Sequence, residues 1–378
     1  MAVERTTTRL AGITLSDLEA VRLLLRGGSI IDWHRLAMGG VEDVERFLRV
    51  NEFDPASERD VQRLETLRNE AVDYLRRNFA FRIPDDIAER VPVAELFLIA
   101  SRKNRRQVYA CIVLKVMHII HHLSGRELLF RSPISDDDLF HVVEAKVVRI
   151  VEELRALGHP VVEFEWSRKP RDSLITKLMA KRSTLAASVY DKLRFRLVVR
   201  DRDDLLPLLI ELNHRLIPFN YVVPGESVND ILPFRKMVEA SPGLGQLGAE
   251  LQEDIGLEEI EAEVKGRQNE FSGPGYNVIN FVADLPVRLD DFLCRISDPA
   301  DLEFGWIAFV LTEFQLLDLK QARDNELGEN SHEKYKERQL ARVKMRLLRG
   351  LPPLDRPATT PGESTTDRFP KVDPKDTE

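Results

Sequence analysis

Only two cysteines occur in this chain of 378 residues, Cys111 and Cys294, and neither stands in a CxxC or Cys/His spacing. That excludes a disulfide framework and a cysteine-built zinc site, and it points to a reducing compartment such as the cytoplasm. No stretch approaches the roughly 18 uncharged apolar residues of a membrane span, and MAVERTTTRLAG has no apolar run of signal-peptide length. A membrane partner is therefore not expected. Positive charge is not in excess either: the net charge is −8 and the pI about 5.7, which argues against wide non-specific binding to nucleic acid. No internal repeat is found. What remains, 43% hydrophobic and 7% aromatic, is an ordinary globular composition with enough length for two domains.

The first third reads as helices. Ser16 precedes DLEAVRLLLRGG, and Ser57 opens SERDVQRLETLRNEAVDYLRRNF with Asp60 three residues on, both in the manner of capped amphipathic helices. Gln107 to Leu123 is more apolar, with Ser124 and Gly125 as its expected stop. Ser135 begins SDDDLFHVVEAKVVRIVEELRALG, whose acidic first turn suits a helix dipole and whose Gly158 suits a terminus. After Pro160 the period shortens to that of strands: VVEFEW, LRFRLVVR, YNVINFVADLPV and WIAFVLTEFQLL, with helical pieces at 173–181 and 204–216. The pattern predicts an α+β (α/β mixed) domain at 131–350 behind an all-helical N-terminal domain at 1–130, with an acidic insertion at about 234–272 and a disordered tail at 351–378.

Two of these pieces carry costly residues. WIAFVLTEFQLL is apolar on both faces, as a central strand should be, yet Glu313 and Gln315 share one of them. A carboxylate on a buried strand costs several kcal/mol unless it is paired, protonated or metal-bound. VYDKLRFRLVVRD alternates Leu193, Phe195 and Leu197 with Arg194 and Arg196, and Asp191 stands at its mouth. The bland reading is an exposed edge strand whose charges discourage pairing with other chains. The sharper one is that Asp191 and Glu313 share a Mg²⁺, an ion that takes one or two carboxylates plus substrate phosphates.

Cations for those phosphates are concentrated nearby. Residues 165–202 hold Lys or Arg at 168, 169, 171, 177, 181, 182, 192, 194, 196, 200 and 202 against acids at 165, 172, 191 and 201. In KPRDSLITKLMAKR, Ser173, Lys177 and Lys181 recur every four residues and share a helix face, with Lys169 near its start. Such a face also serves solubility alone. Tyr276, after the turn at Gly273, Pro274 and Gly275, is either strand filling or a flat platform for a base. His118, His121 and His122 form HxxHH, a metal pair only if a third ligand joins them.

Read in order, these pieces resemble the synthetase domain of the RelA/SpoT family, the (p)ppGpp synthetases. The basic segment KPRDSLITK is similar to that family's Ser-Ile-x-x-Lys, and Asp191 through Arg196 to its Asp-x-x-x-x-Arg. Gly275 and Tyr276 resemble its Gly-Tyr turn, Glu313 to Gln315 its Glu-x-Gln strand, and Tyr335 with Lys336 its closing Tyr-Lys. The chain departs from the pattern in carrying Asn280 where the family has histidine, and Leu317, followed by Asp318, where it has arginine. It also has no His-Asp pair, so the family's hydrolase chemistry is not expected.

The resemblance, which covers about residues 160–340, implies a nucleotidyltransferase-like mixed sheet flanked by helices. It implies Mg²⁺-dependent transfer of pyrophosphate from ATP to the 3′-hydroxyl of GDP or GTP, or to a tRNA 3′ end in toxin-like relatives. In it Asp191 and Glu313 hold the metal, Tyr276 stacks on the acceptor base, and Lys169, Ser173, Lys177, Lys181, Arg194, Arg196, Gln315, Tyr335 and Lys336 contact substrate. The alternative left open is a catalytically degenerate fold that binds nucleotide, or a protein partner, as a sensor.

Overall fold

The structure, a computed structural model, describes residues 13–26, 38–180, 192–234, 275–290, 292–293, 304–327 and 332–349. The expected insertion core, the expected tail, Asp191 and Lys181 lie outside the described residues. Helices fill the first part: α1 (Leu15–Arg26), α2 (Val41–Val50), α3 (Glu58–Phe79), α4 (Val93–Ala100), α5 (Gln107–Arg131) and α6 (Asp136–Ala156). Strand β1 (Val161–Arg168), α7 (Arg171–Ala180), β2 (Leu193–Val199), α8 (Leu205–Arg215), β3 (Val228–Asn229), β4 (Ile279–Arg288), β5 (Ile307–Asp318), α9 (Leu319–Glu326) and α10 (His332–Leu348) follow. All four β-rich stretches read from the sequence are strands, and helix and sheet together make a mixed α+β fold.

The ends of the helices follow local chemistry. Ser57 and Ser135 each accept a hydrogen bond from the backbone N–H three residues on, of Asp60 and Asp138. Ser16 is not the cap of α1, which starts one residue earlier. Thr14 takes that role, its hydroxyl accepting from the Asp17 N–H while the Asp17 carboxylate accepts from the Thr14 N–H. α5 does not stop at Gly125 but runs on to Arg131. The glycine is there for packing: a Cβ at 125 would collide with the Phe309 ring and come within 2.8 Å of the Ile307 carbonyl on β5. α5 also corrects the reading that nothing approaches a membrane-spanning length, since by length and composition alone it qualifies. Its inner residues nevertheless pack on α3, α4 and β5 in the core.

The five strands lie in the order β1-β2-β5-β4-β3, with β2 and β5 parallel and every other pair antiparallel. The central place expected for WIAFVLTEFQLL is where β5 sits. One face carries a row of aromatic rings across four strands: Phe164 on Phe195 at 6.1 Å, Phe195 on Phe314 at 5.7 Å, and Phe281 on Phe314 at 5.7 Å. A single buried cluster runs from Val21 and Leu24 of α1 through α5 and α6 to this sheet, so the early helices and the strands share one core. Arg168 ties β1 to α6 through a bidentate pair with Glu144 at 2.7 and 2.8 Å and a bond to Asp137 at 3.0 Å.

Candidate functional site

The site is built on the other face. Register aligns Arg194 with Glu313 and Arg196 with Gln315 across the parallel pair, Glu165 with Arg196 on one side, and Asn280 with Gln315 on the other. With side chains alternating along each strand, Glu165, Arg194, Arg196, Glu313, Gln315 and Asn280 all fall on this face, in a band where adjacent strands are about 4.8 Å apart. Toward the start of β5 the same face becomes apolar at Phe309, which α5 covers, and Asp284 there meets the His122 ring at 2.7 Å. The Glu313 end is left to half-buried polar side chains.

Gln315 donates to the Glu313 carboxylate at 3.2 Å. Arg196 is held between Glu165 at 3.4 Å and Glu326 of α9 at 3.2 Å, both carboxylates being exposed. Tyr276 leads into β4 and packs on the core beside these groups. Burial pushes its phenol above the usual value; the charges of Arg194 and Arg196 oppose that shift, and Glu313 and Tyr335 add to it. The phenol therefore lies within electrostatic reach of Arg194, Arg196, Glu313 and Tyr335, so five residues singled out from scattered motifs share one locality.

The basic helix is α7, and Ser173 and Lys177 are half-buried on it. It packs against α10: Ala180 and Met179 meet Val343 and Tyr335, and Arg346 donates to the Met179 carbonyl. Tyr335 in turn accepts from Gln339 at 2.9 Å. Lys169 continues the β1–β2 ladder, its N–H donating to the Lys192 carbonyl at 2.8 Å. Lys336 is exposed on α10, one residue past Tyr335 and so turned away from it on the helix surface. The regular strand begins at Leu193, so Asp191 precedes it and strict alternation does not bind the aspartate to the opposite face from Arg196.

Several participants were not read from the sequence. Asn325 of α9 grips the backbone of Asn277, accepting from its N–H at 3.2 Å and donating to its carbonyl at 2.8 Å, while the Asn277 side chain donates to Gln321 at 3.2 Å. The residue after Tyr276 is thus fastened to the helix that leaves β5. Asp318 caps that helix by accepting from the Gln321 N–H at 2.9 Å. Leu317, in the position of the family's arginine, is buried. Glu165 was legible from the alternation of VVEFEW; Glu326 and Asn325 lie on a polar helix with no distinguishing pattern. The Asn280 side-chain oxygen is buried without a hydrogen-bond partner on the site face.

A hard dication takes oxygen donors, and the Gln315 end of this face offers the carboxylate of Glu313 and, paired with Arg196, that of Glu165, beside cations suited to phosphate. That fits Mg²⁺ held jointly with a substrate. Among the described residues no group of three or more His, Cys, Asp or Glu is placed to hold a metal by itself, and HxxHH makes none. His118 stacks on Tyr221 at 4.7 Å, His121 is buried, and His122 pairs with Asp284.

No protein-family model and no curated protein matches the chain. Among solved structures it is similar to small alarmone synthetase 1 from Bacillus subtilis, at 16% identity over 56% of this chain and 91% of that one, with a TM-score of 0.29. The same enzyme bound to its product pppGpp aligns at 15% identity over 61% and 94%, TM-score 0.27. A GTP pyrophosphokinase family protein from Streptococcus pneumoniae aligns at 15% over 54% and 81%, TM-score 0.27. Likenesses this faint leave the function to the chain's own residues.

Proposed function

We propose that the chain transfers pyrophosphate from ATP to the 3′-hydroxyl of a guanine nucleotide, GDP or GTP, in the cytoplasm. The observation that carries this reading is the convergence of Arg194, Arg196, Glu313, Gln315 and Tyr276 on one sheet face, the same residues that carry the sequence resemblance to (p)ppGpp synthetases. In the reaction the acceptor oxygen bonds to the β-phosphorus of ATP, the bond from that phosphorus to the oxygen bridging it to the α-phosphate breaks, and AMP leaves. Transfer of this kind is mainly positioning and charge neutralisation. Glu313 takes the proton of the attacking hydroxyl, and Gln315 orients its carboxylate. Arg194 and Arg196, with Lys169 and Lys177 from the basic segment, hold the phosphates. Tyr276 receives the acceptor base. Mg²⁺ would be held by Glu313 with Asp191 and would offset the charge that gathers on the phosphate oxygens.

A second reading keeps the pocket and loses the turnover. It is favoured by Leu317, buried where a cation would complete the phosphate site, and by Asn280 in place of a histidine. Purified protein incubated with Mg²⁺, γ-labelled ATP and, separately, GDP, GTP or bulk tRNA decides between them. Label on a guanine nucleotide, lost by at least about a hundredfold in Glu313→Gln, is the expected result. Label on tRNA would move the acceptor to a tRNA 3′ end. Nucleotide bound with no transfer to any acceptor would leave a sensor.

A further inference from the structure

The C-terminal end of α3 presents three aromatic rings to solvent. Tyr74 is 42% exposed, Phe79 56% and Phe81 42%, although phenylalanine is among the residues most often buried. The rings are not scattered. Phe79 stacks on Phe81 with centroids 5.8 Å apart, and Tyr74 meets Phe79 edge-on, also at 5.8 Å. The backbone makes this arrangement: Ala80 ends the helix in the left-handed conformation, φ 53°, turning the chain so that Phe81 lies beside Phe79. Glycine takes that conformation freely and alanine only with strain, and such strain gathers at functional segments.

Cations border the rings. Arg76 of α3 meets Glu89 at 3.9 Å and Arg106 meets Asp86 at 2.9 Å, so the short helical turn 86–90 lies between the end of α3 and the loop 101–106 that precedes α5. Arg77 and Arg82 beside the rings, and Arg102, Lys103 and Arg105 in that loop, are exposed and make no ion pair among the described residues. Arg76 and Arg77 also complement the dipole of α3, but Arg82 and the loop have no such task. On a chain of net charge −8, cations gathered around exposed rings are the footprint of a partner that is both anionic and flat. A single-stranded nucleic acid answers to both: its bases stack on aromatic rings whatever the sequence, and its phosphates take the guanidinium groups. A duplex keeps its bases stacked on one another and offers the rings nothing. An acidic peptide brings the charge without the flat faces.

We infer that the end of α3 and the loop before α5 form a binding surface for single-stranded nucleic acid, separate from the transfer site and independent of the function assigned to it. The test is fluorescence anisotropy of a labelled oligouridylate of about 20 nucleotides titrated with the full chain. The expected result is saturable binding that weakens with salt at a log–log slope of about −3, from roughly 0.7 counterion released for each phosphate met by those unpaired cations. Phe79→Ala combined with Phe81→Ala should weaken it by about tenfold or more, with unchanged circular dichroism because both rings are on the surface, while Phe79→Tyr keeps it within about twofold. Arg82→Ala and Arg105→Ala should each weaken it and flatten the slope by about 0.7. Arg196→Ala, which empties a place in the transfer site, should bind as the unaltered chain does; a loss there would put the strand at the transfer site and overturn the proposal. No binding at about 100 μM chain also overturns it, as does equal affinity for a duplex of the same length, or binding indifferent to loss of both rings. Flotation with phosphatidylserine vesicles, lost with the two rings in a chain that binds no oligonucleotide, would overturn it by giving the rings to lipid.

Discussion

Arg196 shows how one residue can be held ready and still be available. Its two carboxylate partners are exposed, and exposed ion pairs are worth about 1 kcal/mol or less. Phosphate oxygens, carrying more charge, would displace them. Glu326→Gln removes one competitor without emptying the space, so the KM for ATP should fall by about two- to threefold with kcat little changed, whereas Arg196→Ala should cut kcat/KM by about a hundredfold or more. Steady-state kinetics of the two variants checks both. His121 offers a different single-residue test. Burial, then Arg63, His118 and His122, keeps its ring neutral well below the ordinary value, and burial with His122 lowers His118 to about 4. Asp284, paired with His122, and Arg126 face the same cluster. A folded pKa below the unfolded one means the unfolded chain binds the proton first. Stability from these rings is therefore complete above about 6.5 and is lost as pH falls toward 4. Thermal melts between pH 7.5 and 4.5 should show that loss as a falling midpoint, on the order of 1 kcal/mol or more. His121→Leu should lessen it, leaving the part due to His118, at no cost near neutrality, because neither His121 ring nitrogen has a hydrogen-bond partner.

At the scale of elements, α9 links the strand bearing Glu313 to the loop bearing Tyr276, through Asn325 and Gln321. Asn325→Ala frees that loop and should raise the KM for the guanine acceptor by about tenfold while leaving the KM for ATP within about twofold, a split that simple unfolding would not give. Gly125→Ala tests the seam between α5 and β5. Helix propensity alone would favour alanine by about 1 kcal/mol, but the collision with Phe309 and the Ile307 carbonyl should reverse the sign and cost about 2 kcal/mol or more, read from the urea midpoint. These elements also mark what a sequence can disclose. Alternation exposed β2 and β5 and put Glu313 with Gln315 and Arg194 with Arg196, because a two-residue period is a local property. Ser57 and Ser135 were legible as caps for the same reason. The length of α5 was not, since Gly125 reads as a stop and its true reason, a ring from residue 309, lies across the fold. The grip of Asn325 on Asn277 was hidden likewise. Two asparagines 48 residues apart carry no pattern that distinguishes them from solvated loop residues.

For the whole molecule, the arrangement of the strands matters more than any one contact. Residues from β1, β2, β4 and β5 make the polar face, so no contiguous stretch of the chain contains it. The parallel pairing of β2 with β5 brings Leu193 beside Thr312, about 120 residues later, and such distant contacts form slowly because the loop must close before they are rewarded. Arg194 and Arg196 are synthesised long before Glu313 and Gln315. On the ribosome, then, the basic strand has Glu165 of β1 within reach, but Glu313 joins it only when β5 emerges. The polar face is complete only once β5, last of the strands in the chain, pairs with β2 and β4 on either side of it.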